Sequence, residues 1–340
     1  MKKVCFLFGG RSFEHEVSVT SLRSVLLAYQ TEDFALMVGG LDKENSLQLF
    51  SVEEFLDRFE AYSSFEKGEA PVSLERLKEF DLVFPLIHGS VGEDGSLQGL
   101  LTILGVPFVG ASLTSSAICM DKEISKRLLM HAGLPVVDWL TVYPGQSISK
   151  KQVKEEIGYP CFVKPSASGS SRGVSKVGSE EDLEQAVAYA REFSLKVLIE
   201  KAIIGMELEC AVFQGENVVA SRVGRIIPQM EFYDYDSKYM LPEAALIETP
   251  ANIETALEKQ IQEMAKKVFQ VLDCEMMARI DFLYDGKLYV NEANTIPGFT
   301  PISLYPKLLA LSGISYTTLI NEMIQLGLGQ KNRLEDALIG

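Results

Sequence analysis

The chain is poor in several things, and each scarcity excludes a class of function. Its three histidines, His15, His88 and His131, lie far apart in 340 residues, so no zinc centre is expected. Its five cysteines, Cys5, Cys119, Cys161, Cys210 and Cys274, include no Cys-x-x-Cys pair, and three sit in strand-like apolar contexts. They read as buried free thiols and not as a disulfide framework. Positive charge is outnumbered, 32 Lys and Arg against 47 Asp and Glu, for a net −15. That balance argues against a nucleic-acid partner, which needs clustered cations. No apolar run approaches the roughly 18 residues of a spanning helix, so no membrane partner is expected either. Lys2-Lys3 before Val4–Phe8 looks like the start of a secretion signal, but Gly9-Gly10-Arg11 ends the stretch too soon. The protein is expected in the cytoplasm. Two nucleotide fingerprints, Gly-x-Gly-x-x-Gly and the Walker A loop, are missing as well.

What is present is an ordinary globular composition, 47% hydrophobic and 23% charged, in a chain too long for a single core. Two or three domains are expected. The first block opens with a strand at Val4–Phe8, a Gly9-Gly10 turn and a helix from about Glu16 to Tyr29, the usual start of a doubly wound α/β domain. Its turn carries Glu14 and Glu16, which repel a pyrophosphate and attract an ammonium group. A second strand, Asp81–Ile87, runs into the Gly-rich loop His88-Gly89-Ser90-Val91-Gly92-Glu93-Asp94-Gly95 ahead of a helix at Ser96–Leu104. Loops at the carboxyl ends of parallel strands are where such sheets bind ligands, although a plain turn would look alike.

The second block begins with one helix between Thr114-Ser115-Ser116 and the Gly133/Pro135 stop; it contains Met120-Asp121-Lys122 and Lys126. A strand at Pro160–Val163 then delivers Lys164 into Pro165-Ser166-Ala167-Ser168-Gly169-Ser170-Ser171-Arg172-Gly173. Small hydroxyl-rich residues let a backbone approach phosphates closely; a flexible linker is the alternative. After a helix near Glu181–Arg191, the strand Val197–Ile199 ends in Glu200-Lys201 and then Gly205-Met206-Glu207. Alternating acid and base there suits the edge and ribose of a nucleotide.

The third block holds Glu231–Tyr239, a polar aromatic stretch without strand or helix period that reads as a lid. A helix at Leu257–Leu272 has core spacing only. Asp285-Gly286 then marks a two-residue hairpin turn that pairs Tyr284 with Lys287, Asp281 with Val290 and Arg279 with Glu292. On that register Arg279, Asp281, Glu292 and Asn294 share one face, with Asp281 and Glu292 as diagonal neighbours roughly 7 Å apart. Two carboxylates and an amide form an all-oxygen set suited to magnesium; a solvated face with one Arg279–Glu292 ion pair is the alternative. Thr295–Thr300, punctuated by Pro297 and Gly298, leaves the sheet and offers N–H groups to an anion. Ser303-Leu304 offers a second such place. Helices close the chain, with a frayed tail after Gln330.

Six motifs occur in order along nearly the whole chain: Gly9-Gly10-x-Ser12-x-Glu14-His15-x-Val17-Ser18, His88-Gly89-x-x-Gly92-Glu93-Asp94-Gly95, Met120-Asp121-Lys122, Lys164-Pro165-x-x-x-Gly169-Ser170-Ser171, the Tyr233–Tyr239 loop, and Asn291-Glu292-x-Asn294-Thr295-x-Pro297-Gly298. Together they resemble the D-alanine:D-alanine ligases of the ATP-grasp superfamily. The resemblance implies an α/β (α+β) ATP-grasp fold of three domains. A Rossmann-like N-terminal α/β domain (1–121) carries the first D-alanine site, and two α+β domains (122–210 and 211–340) clamp ATP. It implies that Asp281, Glu292 and Asn294 hold two magnesium ions, replaceable by manganese, with potassium as a further ion. Lys122, Lys164, Ser170, Ser171 and the lid's Lys238 would contact phosphates. Glu200, Lys201, Ile203, Glu207 and Leu283 would hold the nucleoside. Glu14, Val17, Ser18 and His88 would form the first D-alanine site, Arg279 and the Gly298 N–H the oxyanion hole, and Ser303 with Leu304 the second carboxylate site. Ser170 and Tyr239 would join Glu14 in placing the second amine. A homodimer is implied too. D-lactate or D-serine as acceptor, and a catalytically silent ATP-binding module, are the rival readings; Lys238-Tyr239 favours an amine acceptor. Two residues depart from the family pattern, Arg225 near the lid and Ala293 between the metal ligands, the latter expected to change packing only.

Overall fold

The computed structural model describes residues 1–228 and 245–339. The apolar run near the start becomes β1 (Lys2–Gly9), buried from Val4 onward, as a strand covered on both faces must be. Val4, Phe6 and Phe8 enter one core and Cys5 and Leu7 the other, because successive side chains leave a strand on opposite faces. β1 pairs in parallel with β2 (Phe34–Leu41) and β4 (Leu82–Pro85), and β2 turns back on β3 (Leu47–Phe50), giving the order β3-β2-β1-β4. The helix His15–Ala28 covers one face, together with Leu319, Ile320, Met323 and Ile324 of the last helix.

A second sheet is antiparallel throughout: β5 (Trp139–Val142), β6 (Cys161–Pro165), β7 (Ser175–Val177) and β8 (Val197–Lys201), in the order β5-β8-β6-β7. The third, also antiparallel, runs β11-β10-β9-β12-β13 from β9 (Met206–Gln214), β10 (Val218–Pro228), β11 (Ala245–Glu248), β12 (Met277–Tyr284) and β13 (Leu288–Asn294). β9 crosses residue 210. The sequence-expected lid, with Lys238 and Tyr239, lies outside the described residues, between β10 and β11. Arg225 stands in register with Glu248 at the base of that segment.

Three local expectations are corrected. The single helix expected across Met120-Asp121-Lys122 is two, Leu113–Met120 and Lys122–His131. Asp121 takes an extended conformation (ψ 97°) and its carboxylate accepts the Glu123 and Ile124 N–H groups, so it ends one helix and caps the next. The last helix continues to Ile339 where fraying was expected. The hairpin register also differs. Tyr284 pairs with Leu288, not Lys287, because Gly286 at φ 106° lets three residues turn the chain. A bulge between Asp281 and Phe282 then shifts the ladder once more, so that Asp281 lies directly opposite Glu292 and Val290 falls opposite Phe282, in the core. Asn291 and Glu292 are the two residues the bulge accommodates, and such bulges re-aim side chains beside functional sites.

Candidate active site

β12 is an inner strand, and both its neighbours bring a carboxylate to Asp281: Glu209 of β9 on one side and Glu292 of β13 on the other. Three acidic groups in a row repel one another unless cations intervene. Arg279 supplies one, its Nε and Nη2 each 2.8 Å from an Asp281 oxygen and its Nε 3.1 Å from Glu209 Oε2. Lys122 supplies the second, its ammonium 3.0 Å from Glu292 Oε2 and donating to the Ser168 carbonyl at 2.9 Å. Burial acts to discharge both cations, but Asp281 and Glu209 more than offset it for Arg279, and Glu292 does so for Lys122, so both are held above their ordinary pKa. Asn294 donates to Asp281 Oδ2 at 3.1 Å.

Asp281, Glu292 and Asn294 therefore converge as expected, and their oxygens suit a hard divalent cation. Among the described residues no cluster of three or more His, Cys, Asp or Glu forms a metal centre alone.

Lys122, Lys164 and the Ser168–Arg172 loop border the same cleft, which Lys201, Ile203, Glu207 and Leu283 also line. Ser170 and Ser171 both have positive φ (51° and 57°), uncommon for residues other than glycine and concentrated where backbone is held in one shape for a purpose. Glu200 lines the cleft too, but its carboxylate is committed to Lys164 and Lys126 at 2.7 and 3.0 Å.

The loop's Ser170 hydroxyl donates to Glu14 Oε1 at 2.5 Å, joining residues 156 apart in sequence. A small pocket, ≈ 140 Å³, opens beside this bond between Glu14, Gly89 and Gly169. A Cβ at Gly89 would lie 2.5 Å from Glu14 Oε2, and Gly89 is at φ 72°, so glycine alone leaves the carboxylate its place. Val17 and Ser18 lie behind, both buried. Ser18 is used by the backbone, accepting from Gly9 N at 2.8 Å and donating to Leu86 O at 2.7 Å. His88 is likewise occupied. Its Nδ1 donates to the Ile296 carbonyl at 3.0 Å and its Nε2 accepts from the Ser21 hydroxyl at 2.8 Å. Burial, opposed by Glu14, holds this imidazole below its usual pKa and neutral. Val17, Ser18 and His88 are not among the residues that line the pocket.

Sequence reasoning quoted Glu93 without assigning it a role. Its carboxylate accepts from Gly89 N at 2.7 Å and from Ile296 N at 3.0 Å. His88 and Glu93 thus grip both polar groups of the Ile296 backbone and fix the approach to Gly298. Burial first, then Glu14, push the Glu93 acid up to about 8. A Cβ on Gly298 would lie 2.6 Å from Ser303 Oγ, so the residues expected to supply the oxyanion N–H and to bind the second carboxylate are adjacent. Ser303 caps the helix Leu304–Leu311, and its hydroxyl accepts from Thr300 N at 2.9 Å. Two more residues went unassigned. Glu209 alternates with Glu207 along β9, and Lys126 follows Lys122 by one helical turn; each periodicity was the available signal.

The family model described as "D-ala D-ala ligase N-terminus" matches residues 3–111, and that described as "D-ala D-ala ligase C-terminus" matches 128–325. The chain is 41% identical to a D-alanine--D-alanine ligase of Thermoanaerobacter sp., over 97% of this chain and 98% of the relative. It is 42% identical to D-alanine--D-alanine ligase A of Chromobacterium violaceum, over 99% and 97%. Among solved structures it resembles the D-alanine-D-alanine ligase of Coxiella burnetii, with TM-score 0.84, 31% identity and coverage of 99% and 97%. It resembles the VanG D-Ala:D-Ser ligase of Enterococcus faecalis to a similar degree, with TM-score 0.85, 34% identity and coverage of 96% and 99%.

Proposed function

The chain belongs to the D-alanine–D-alanine ligase family, and from that premise we propose how its residues divide the work of an ATP-dependent ligase. The enzyme joins two D-alanine molecules into the dipeptide used for peptidoglycan precursors, and it uses ATP with a divalent metal. A carboxylate is a poor electrophile. ATP therefore first phosphorylates the carboxylate of one D-alanine, giving an acyl phosphate that the amine of the second attacks, with release of ADP and phosphate.

In the proposed arrangement Asp281, Glu292 and Asn294 hold two magnesium ions, or manganese in their place. When bound, the ions neutralise phosphate charge and orient the γ-phosphate. Lys122, Lys164, Ser170, Ser171 and the lid's Lys238 hold phosphates, while Lys201, Ile203, Glu207, Leu283 and the Glu200 backbone hold the nucleoside. Glu14 takes the first ammonium. Arg279 and the Gly298 N–H receive the oxyanion, where one preorganised donor is typically worth about 3 kcal/mol. Glu209 keeps a partner for Arg279 while Asp281 is engaged. Ser303 and the Leu304 N–H bind the second carboxylate. The second amine must lose a proton before it attacks, since a free amino group titrates at about 8; on the family resemblance we assign this step to Glu14, Ser170 and the lid's Tyr239.

The observation that carries the reading is the Glu14–Ser170 hydrogen bond, which puts an ammonium-binding carboxylate against the phosphate-side loop. We further propose one sheet per domain, with the second boundary ahead of β9, and a potassium site, a homodimer and a cytoplasmic location on the family resemblance alone. D-Serine as acceptor is the second reading, because the fold matches VanG as well as it matches the D-alanine enzyme. Product analysis with ATP, magnesium and D-alanine, in competition with D-serine and D-lactate, tests both. D-Alanyl-D-alanine as the dominant product is expected; a dominant mixed product would replace the first reading by the second.

A further inference from the structure

Lys126 has no part in the scheme above, yet it is one of the most enclosed charges in the molecule. It is wholly buried and does not line the nucleotide cleft. Its ammonium lies 3.0 Å from Glu200 Oε1, while that of Lys164 lies 2.7 Å from Glu200 Oε2. On its other side it donates to the Val137 carbonyl at 3.2 Å and sits 5.4 Å from the ring centroid of Trp139, the chain's single tryptophan. One carboxylate, only 4% exposed, therefore serves two ammonium groups of unequal freedom. Lys164 borders the cleft and can turn into it. Lys126 is fixed from behind by a carbonyl and an aromatic face.

We propose that Lys126 is a positioning residue that frees Lys164 for the nucleotide: it keeps the buried Glu200 carboxylate neutralised when the Lys164 ammonium turns to a phosphate. The inference rests on the reading of Lys164 as a phosphate contact. Among the described residues the buried group holds one negative and two positive charges, with the exposed Asp138 carboxylate acting on Lys126 from outside it, so one buried positive charge is in surplus and can be lent to a ligand. Without Lys126 the sum is zero, and moving Lys164 would strand a buried charge, which is strongly unfavourable. The titration of the pair agrees with this. Burial lowers the pKa of Lys126 against the pull of Glu200, whereas Glu200, although burial acts to raise it, is held below its usual range by the two lysines together.

The test is calorimetric titration of the full-length protein with magnesium and a non-hydrolysable ATP analogue, and separately with adenosine, which has no phosphate to draw Lys164 away. Lys126→Met should weaken the analogue about ten- to a hundredfold, leave adenosine unchanged, and be largely rescued by Lys126→Arg. Adding Glu200→Gln to Lys126→Met should restore the ratio of analogue to adenosine affinity, because no buried charge is then left to strand. Unchanged analogue affinity in Lys126→Met, or equal losses for both ligands, overturns the proposal. If the single variant does not fold, the double variant decides: a ratio at or above wild type supports it, and a ratio as low as that of Lys164→Met overturns it. Lys164→Met itself separates the two readings. If that variant binds the analogue normally, Lys164 is not a phosphate contact and the reading beneath this inference fails; if it binds poorly while Lys126→Met does not, only the inference fails.

Discussion

Along β12 and β13 acidic side chains are held by cations, Asp281 by Arg279 and Glu292 by Lys122, whereas around Ile296 a loop is held by hydrogen bonds from its own peptide to His88 and Glu93. On the proposed function the two regions serve the phosphate side and the amino-acid side of the reaction, and they solve different problems. An ion pair can exchange one cation for another, so the hairpin face can give its carboxylates to metal ions and turn its arginine and lysine to substrate. A peptide gripped at both N–H and C=O cannot exchange partners without losing its geometry. Exchangeable charge suits the phosphate side, where charge arrives and leaves each cycle; fixed shape suits the amino-acid side, where one handedness must be chosen.

The comparison breaks first at the hairpin. Asp281→Asn should reduce turnover by about a thousandfold or more, since it removes charge that only a metal would balance. ADP release at saturating magnesium, with circular dichroism to confirm the fold, measures it, and near-normal rates would end the metal assignment. Next comes the other side. His88→Ala should slow dipeptide formation by about ten- to a hundredfold through loss of two buried hydrogen bonds, with affinity for an ATP analogue unchanged. A matching loss of nucleotide affinity would show that the two sides are not separately built.

Glu93 offers a finer test. Its acid is raised from 4.5 to about 8 in the folded protein, so the native state retains a proton that the unfolded chain has released between those values. Its contribution to stability is complete below about 4.5 and is lost as pH rises to about 8. Glu93→Gln should remove that slope, so the melting-temperature difference between variant and wild type should move by a few degrees in favour of the variant from pH 5 to 9. A difference that is flat with pH would mean that Glu93 is ionised throughout. The smallest effect is expected at Ala293, which pairs with Ile280 and packs into the core behind the metal face. Ala293→Val should change stability by about 1 kcal/mol and leave the magnesium dependence of turnover untouched; a shifted metal requirement would show that the hairpin's two faces are coupled.

Much of this was legible in the sequence because the chemistry is clustered in short motifs. Glu14, Lys122, Lys164, Ser170, Arg279, Asp281 and Glu292 border the two adjoining pockets, and Asn294 bonds Asp281. What escaped depended on facts that no local pattern carries. The hairpin register was misread because Asn291-Glu292 is polar at both positions, so the bulge leaves no break in alternation, and Asp285-Gly286 fits a two-residue turn as readily as the longer one formed. Asp121 looked like a mid-helix residue because its capping role needs the extended backbone that the fold imposes. Glu93 and Lys126 received no role because their partners, Ile296 and Glu200, are distant in sequence and meet them only in the tertiary structure. His88 was expected at the first D-alanine site on the family resemblance alone; the sequence gives no sign that both its ring nitrogens bond protein groups.

The last helix carries a consequence for the order in which the molecule can be made. Leu319, Ile320, Met323 and Ile324 are fully buried in the same core as Val4, Phe6 and Phe8 of the first strand. As the chain leaves the ribosome, the opening sheet emerges with part of its apolar face uncovered and must wait, through the synthesis of both other sheets, for the segment that closes it. Ile296, the peptide that His88 and Glu93 hold, arrives almost as late. Truncations removing the final helix should therefore trap the nascent protein with the aromatic residues of its first core exposed, a state open to chaperones and to aggregation, and the amino-terminal domain should mature last although it is synthesised first.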